Sequence, residues 1–265
     1  MSSIARILFP VVTIWWREII RFLRQRSRLV SAFAQPLVFW LLLGGGLNAS
    51  FRPSGLPAET NYISYFYPGV LALILLFTAI FSTIAVVQDR REGFLQGVLV
   101  APVSRWSVVC GQACGGTTLA LVQGALFLLL SPIIGIPLDF ASILSTVGVM
   151  VLLSFGLTSL GLAIAWRMDS TQGFHAVMNL ILIPIWLLSG AFFPVAGVSP
   201  LLEWVMKLNP VTYGVAALRR CLYLNNPSVV GEIPQLTLSL VVTGLFCIVM
   251  YFGAAQTAYR RVNIT

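Results

Sequence analysis

Six long apolar stretches without a single charged side chain constrain this 265-residue chain more than any other feature. They cover approximately residues 30–48, 66–88, 107–135, 140–166, 174–194 and 236–258. A helix needs about 20 residues to cross the hydrocarbon core of a bilayer, and each stretch is long enough. Charged residues make up only 9% of the chain, whereas soluble domains contain about 25%. The sequence therefore predicts an all-α membrane protein, with a six-span bundle at 30–258 inside a single domain of residues 1–265.

Residues 1–28 carry periodic arginines instead of a further apolar stretch. The arginines at positions 17, 21, 24 and 28 recur at helical spacing, and Trp15 and Trp16 stand on the other side with several aliphatic residues. Tryptophan rings and arginine side chains both favour the membrane–water interface. We expect an N-terminal amphipathic interface helix that lies on the membrane and contacts lipid. An ordinary cytosolic arm is the alternative.

The distribution of basic residues predicts the orientation of the chain. Twelve Lys and Arg residues fall on the side of the N-terminus and four on the opposite side. Because cytoplasmic loops carry the excess of Lys and Arg, we expect both termini in the cytoplasm. The net charge of +8 lies in short segments between apolar stretches, which indicates contact with anionic lipid and no binding of nucleic acid.

Several kinds of chemistry are missing from the sequence. Ion-coupled carriers usually place an ionisable side chain inside the bilayer, and the apolar stretches hold none apart from His175 near one end of the fifth. The sole lysine, Lys207, is not part of a phosphate-binding loop. We therefore expect no catalytic residue, metal or cofactor in this chain, so that any ATP is bound elsewhere. A secondary carrier or an integral-membrane enzyme acting alone is the alternative.

The loop at 90–105, between the second and third stretches, contains a short amphipathic segment. It begins with charged residues, continues with Phe94, Leu95, Val98 and Leu99, and stops at Pro102. A solvated loop has no reason to expose four large apolar side chains, whereas a surface that binds a partner uses them. A helix that lies on the membrane is the alternative.

Two further motifs flank the segment between the fifth and sixth stretches. Ser189-Gly190 and Phe193-Pro194 predict a helix that breaks near the outer surface, and Asn209-Pro210 with Tyr213 precedes the return to the sixth stretch. Prolines divide residues 195–235 into short pieces, because proline interrupts helices. In the third stretch, Gly111 and Gly115 form a Gly-x-x-x-Gly pattern, which permits close helix packing within one subunit or between subunits.

In this order, the motifs resemble those of permease subunits of ABC-type exporters of the type-2 permease family. That family shows a Glu-Gly element and a Pro-x-Ser-Arg element between spans two and three, then Ser-Gly-x-x-Phe-Pro and Asn-Pro-x-x-Tyr around the last external segment. The matching positions here run from Glu92-Gly93 and Pro102–Arg105 to Ser189–Pro194 and Asn209–Tyr213. One departure is Gln112, where the family often has lysine.

The resemblance implies a coupling helix in the loop at 90–105, which docks on an ATPase subunit. Its residues would be Glu92, Gly93, Phe94, Leu95, Val98, Leu99, Pro102, Ser104 and Arg105. It also implies short external re-entrant helices at 199–220, with the residues Ser189, Gly190, Phe193, Pro194, Asn209, Pro210 and Tyr213 around them.

The family's assembly pairs two permease copies, identical or different, with two ATPase subunits that bind ATP and Mg²⁺ at the inner (plasma) membrane. Substrate would pass between the copies. On the second span, four aromatic side chains would line that path or face lipid: Phe66, Tyr67, Phe77 and Phe81. The sequence does not identify the substrate, which could be a drug, a lipid or a polysaccharide.

Overall fold

The computed structural model describes residues 3–24, 26–47, 61–100, 103–137, 139–195, 197–226 and 230–262. Pro102 and most of the polar loop at 49–65 lie outside these ranges. Within them the chain is helical and contains no strand. In chain order the helices are α1 (Ser3–Arg24), α2 (Arg26–Leu47), α3 (Tyr62–Ser82), α4 (Ile84–Arg91), α5 (Phe94–Val100), α6 (Arg105–Leu128), α7 (Phe140–Ala165), α8 (Thr171–Trp186), α9 (Pro200–Leu208), α10 (Pro210–Leu222) and α11 (Leu236–Val262).

Four segments of the described chain are long and apolar enough to cross a membrane. They are Tyr62–Arg91, Phe140–Ala165, Thr171–Ala191 and Leu236–Arg260. These correspond to the second, fourth, fifth and sixth predicted stretches and make the chain a multi-pass membrane protein. The other two stretches correspond to α2 and α6. Among the described residues of α2, Pro36–Leu47 form a shorter apolar segment. Glycine, threonine and glutamine make α6 less apolar than the four spans.

Helix α3 forms the centre of the bundle. It packs against α2, α6, α7, α8 and α10, and 83% of the most apolar part of Tyr62–Arg91 is buried inside the protein. Because other helices enclose it, its sequence is apolar on every side, as expected for a central helix. The helix bends at Thr83, whose backbone N–H bonds to the Ile80 carbonyl, and continues as α4 towards the loop at 90–105.

Helix α1 lies along α6, and the Gly-x-x-x-Gly pattern makes this contact close. A Cβ atom at Gly111 would lie 2.8 Å from the Val11 carbonyl oxygen, and one at Gly115 would lie 2.8 Å from Glu18 Cβ. In the structure the two glycines therefore serve packing within one subunit. The helix expected over 1–28 ends at Arg24, because the arginines that follow belong to α2.

The end of α8 is broken by a wide helical turn, Leu187–Ala191. Inside this turn Gly190 adopts φ +74°, which non-glycine residues rarely tolerate. Two short helices follow, α9 and α10, and each has proline at its first position, where the missing N–H costs nothing. The break that Ser189-Gly190 predicted lies at this turn.

Candidate functional site

A seven-residue helix, α5, lies within the loop for which the sequence predicted a partner surface. Gly93 separates it from α4 with φ +78°, and the Glu92 backbone N–H bonds to the Gln88 carbonyl to close α4. A side chain at Gly93 would strain this turn, because only glycine adopts positive φ freely. Ser104 then precedes α6, which Arg105 begins.

The exposed surface of α5 is smaller than the sequence indicated. Leu95 is only 2% exposed and Val98 packs against the core, so both face the subunit itself. Phe94 is 45% exposed and Glu92 is exposed beside it. The side chain of Leu99 and all of Pro102 lie outside the described residues. Of the described apolar residues on α5, Phe94 offers the largest accessible surface to a partner.

Asp89, the one acid of α4, holds the end of α4 beside this loop to α1 through two arginines. Its side chain is 1% exposed. Arg17 donates from both terminal nitrogens to the two carboxylate oxygens at 2.7 and 2.6 Å. Arg21 donates to Asp89 Oδ1 at 2.7 Å and to Gln88 Oε1 at 2.9 Å. Charge-assisted bidentate bonds are among the strongest in proteins, so α1 and α4 are joined rigidly here.

Arg17 also joins α1 to α5. Its guanidinium lies 3.8 Å from the centre of the Phe94 ring, a cation–π distance. Burial by itself would lower the pKa of Arg17, but the hydrogen bonds and the charge of Asp89 raise that pKa above its ordinary value. The arginine therefore stays charged and contacts the exposed end of α5. Two donors of Arg17 bind Asp89 inside the subunit, and contact of α1 with lipid stays a prediction.

Arg90, which follows Asp89 in α4, joins the end of α4 to the turn between α7 and α8. It donates to the Trp166 carbonyl at 2.8 Å and to the Met168 carbonyl at 2.9 Å, and lies 3.3 Å from Asp169. These carbonyls follow the end of α7, where a cation is favourable because of the helix dipole. Asp89 and Arg90 thus connect the last turn of α4, directly before α5, to α1 and to the turn between α7 and α8.

At the other end of the bundle, Asn209 satisfies the backbone of the break in α8. Its amide nitrogen donates to the carbonyls of Ile185 at 2.6 Å and Leu188 at 3.1 Å. Its amide oxygen accepts from the Val211 N–H at 3.0 Å and so caps α10. One side chain therefore fastens the start of α10 to the broken turn, and Pro210 fits the first position of α10.

The Gly190 carbonyl is held by two more side chains. The Tyr65 hydroxyl donates to it at 3.0 Å, and Arg219 donates to it at 3.3 Å. Arg219 is buried, also donates to the Tyr65 carbonyl, and lies over the Tyr65 ring at 4.1 Å. The structure brings Ser189, Gly190, Asn209 and Pro210 together. Tyr213, one turn further along α10, donates to the Lys207 carbonyl, while Phe193 and Pro194 lie half-buried beyond the break.

Comparison with known proteins decides the family. The model of the ABC-2 type transporter family matches residues 10–223. The chain belongs to the ABC-2 type transporter family. It is 32% identical to the putative transport permease ycf38 of Cyanophora paradoxa over 77% of this chain and 70% of that protein. It is 22% identical to nodulation protein J of Neorhizobium galegae over 95% of this chain and 94% of that protein. The resemblance seen in the motifs is thereby confirmed, and the chain is a membrane permease of the ABC class.

The four aromatic residues proposed to line a path in this ABC-2 permease separate into two pairs. Phe66 and Tyr67 are completely buried, and Tyr67 stacks on Phe127 with ring centres 4.6 Å apart. In this structure neither ring reaches a path or lipid, because α2, α6 and α8 surround this part of α3. Phe77 and Phe81 are partly exposed. For this second pair the assignment to a path stays a prediction.

Sequence reasoning did not identify the residues that hold the loop of this ABC-2 permease. It treated Arg90 only as part of the charged start of the loop, did not single out Asp89, and placed Arg17 and Arg21 on a helix that contacts lipid. The available signal was that Asp89 directly follows an apolar stretch, where an unpaired carboxylate is costly. A buried carboxylate needs a basic partner, and the periodic arginines of α1 are candidates. The sequence therefore indicated a pairing between segments that are distant along the chain. Spacing alone does not show which arginine is the partner.

Proposed function

We propose that this permease is the membrane subunit of an ATP-driven exporter that works with separate ATPase subunits, which hold ATP and Mg²⁺. The observation that carries the proposal is the set of contacts made by Asp89 and Arg90, which tie the last turn of α4 to α1 and to the turn after α7. Because α5 follows this turn directly, a displacement of α5 would be passed on to both partners. The chain itself would perform no catalysis.

The mechanism follows from differential binding. ATP shifts a conformational equilibrium only if the ATPase subunits bind the two permease states unequally. Phe94 and Glu92 offer the partner an apolar contact and a charge at the tip of the loop. When the ATPase subunits close, they would displace α5, and the Asp89 and Arg90 contacts would move α1 and the α7–α8 turn together. This joint displacement would open the outward path.

We further propose six spans in the inner membrane, with both termini in the cytoplasm. With 24 residues, α6 is about 36 Å long at 1.5 Å per residue. Polar side chains of α6 are buried within the subunit: Gln112, Thr117 and Gln123. The surface that α6 presents to lipid therefore does not include them. Helix α2 is also long enough. In this topology α9 and α10 lie at the external face.

A second copy would cover α8. The exposed face of α8 carries Gln172, His175 and Asn179 on successive turns. Within the described part, the Asn179 side chain makes no hydrogen bond. By contrast, the exposed residues of α11 from Leu238 to Phe252 are all apolar. Lipid tails can cover α11 but cannot satisfy amides, whereas an amide on a second copy can both donate and accept. The α8 face therefore suits the partner copy.

This arrangement predicts site-specific cross-linking. In a background without native cysteines, Asn179→Cys is expected to yield a disulfide-linked dimer in membranes after mild oxidation. The matched control Ile248→Cys, exposed on α11, is expected to stay monomeric because lipid surrounds it. The measurement is the dimer fraction on a non-reducing gel. Efficient dimers from Ile248→Cys with none from Asn179→Cys would reverse the assignment of the two faces.

The role of the loop predicts that changes at its tip uncouple transport. Glu92→Lys and Phe94→Asp are each expected to lower ATP-dependent transport into vesicles at least about tenfold, because they remove the charge and the apolar contact at an interface centre. Insertion into the membrane should be unchanged. Glu203→Lys, the same charge reversal at a side chain of α9 that is 41% exposed, serves as the control and should transport normally.

The same preparations distinguish the alternatives. A co-purifying chain with a phosphate-binding loop is expected, together with ATP hydrolysis that depends on it. ATP hydrolysis by the purified permease alone would instead identify a membrane enzyme. Transport without any ATPase, driven by an ion gradient, would identify a secondary carrier. Full transport by both loop variants would contradict the coupling role of α5.

A further inference from the structure

A small cavity lies between α1, α3, α4, α6 and α7, on the side of the α4–α5 loop. Its polar lining residues come from three segments: Glu18, Ser82, Thr83 and Gln112. The rest of the lining is apolar: Ala85, Val86, Gly116 and Leu162. The cavity has room for about one water-sized occupant. The glycines of α6 make it possible, since a Cβ atom at Gly116 would lie 2.5 Å from Ser82 Oγ.

The polar groups of this cavity offer several acceptor oxygens, and the amide nitrogen of Gln112 is a donor in the lining. Ser82 gives its hydroxyl hydrogen to the Ala79 carbonyl, and Thr83 gives its own to the Ile80 carbonyl. Their oxygen lone pairs remain for the cavity. The Gln112 side-chain oxygen is buried and accepts no hydrogen bond in the described part of the chain, and the residue is only 7% exposed. A buried polar atom of this kind normally has a partner.

Glu18 brings a negative charge that its neighbours compensate incompletely. The residue is 8% exposed, and among the described residues its ion pair is a 3.2 Å contact with Arg17, whose two terminal nitrogens also bind Asp89. Burial, and to a smaller extent the charge of Asp89, raise the pKa of the Glu18 carboxyl against the opposing charges of Arg17 and Arg21. A further cation or donor beside Glu18 would favour its carboxylate form.

We propose that this cavity binds one dehydrated monovalent cation, Na⁺ or K⁺, through oxygens of Glu18, Gln112, Ser82 and Thr83. Hard cations take oxygen ligands, and these four side chains present acceptor oxygens. A single carboxylate among neutral oxygens matches a single positive charge, whereas divalent sites usually contain more carboxylates. Because its ligands come from α1, the bend after α3, and α6, the ion would hold the three segments together next to the Asp89 contacts.

Thermal unfolding of the full-length protein in detergent tests the site. We compare NaCl, KCl and choline chloride at equal ionic strength. At about ten times the dissociation constant, Na⁺ or K⁺ should raise the midpoint by roughly 3–6 °C over choline. Gln112→Leu should abolish this difference. Gln123→Leu, the same change at a buried position of α6 away from the cavity, should retain it.

A second variant keeps the test decisive if Gln112→Leu folds poorly. Gln112→Lys places an ammonium group beside Glu18, so this variant should be stable in choline and should not respond to Na⁺ or K⁺. Equal responses of the wild type and both Gln112 variants would overturn the proposal. So would a wild-type midpoint that depends on pH and not on the cation, since Glu18 would then bind a proton instead. Neither result bears on the exporter role, which is tested separately.

Discussion

Asp89→Asn is expected to abolish coupled transport and to lower the free energy of unfolding by about 2–3 kcal/mol. The change keeps the shape of the side chain but removes the charge that Arg17 and Arg21 share. Breaking a buried ion pair typically costs about 3–5 kcal/mol, and the cost is smaller here because both arginines reach solvent. Chemical unfolding in detergent and ATP-dependent transport into vesicles are the two measurements.

Asp169→Asn is the matched control, since it neutralises another carboxylate that contacts the same loop. Its side chain is 72% exposed and lies 3.3 Å from Arg90. Exposed ion pairs contribute little to stability, about 0–1 kcal/mol, so this variant should resemble the wild type. Full activity and stability of Asp89→Asn, or equal losses in both variants, would show that the Asp89 contact does not hold the loop.

Asn209→Leu is expected to release the broken end of α8 and to cost about 2–4 kcal/mol of unfolding free energy. The substitution removes three hydrogen bonds, to the Ile185 and Leu188 carbonyls and from the Val211 N–H. Each bond contributes about 1 kcal/mol, and a carbonyl left buried without a donor adds more. The same experiment as above measures the loss. We also expect faster protease cleavage between Ala191 and Pro200 in proteoliposomes.

Tyr213→Phe is the control for the same segment. The Tyr213 hydroxyl makes one exposed hydrogen bond to the Lys207 carbonyl, so its removal should cost less than about 1 kcal/mol. A wild-type cleavage pattern in Asn209→Leu would contradict the role of Asn209 in fastening α10 to the break. Such a result would assign the break to the backbone of Gly190 alone.

The helices that the sequence predicts best are those with a simple environment. Helix α11 has an apolar outer face, and its predicted stretch 236–258 agrees closely with Leu236–Val262. Helix α7 agrees equally well with 140–166. The third predicted stretch is too long, because the chain leaves α6 at Leu128 and forms a short turn at Ser131–Ile134. Apolarity continues through that turn, so hydropathy cannot show where the hydrogen bonding changes.

For the candidate site, the sequence located the loop but not the contacts that hold it. Phe94 and Leu95 are adjacent and both apolar, yet one is exposed and the other is buried, because the helix turns by about 100° per residue and places them on different faces. Asp89 and Arg90 are adjacent charges that bind different segments of the chain for the same reason. Their partners lie 72 and 76 residues away in Arg17 and Trp166. Local spacing contains no information about partners at that distance.

The amino-acid sequence by itself determined that this protein is a helical membrane permease, since long uncharged stretches are stable in few other environments and the ordered motifs are specific to one family. Only the tertiary structure decided which charges meet, which glycines are contacts, and which aromatic rings are buried. The physical reason is the distance along the chain over which each property is set. The tendency of a segment to enter lipid is a sum over its own residues, whereas ion pairs, caps and cavities depend on atoms that only the folded chain brings within a few ångströms.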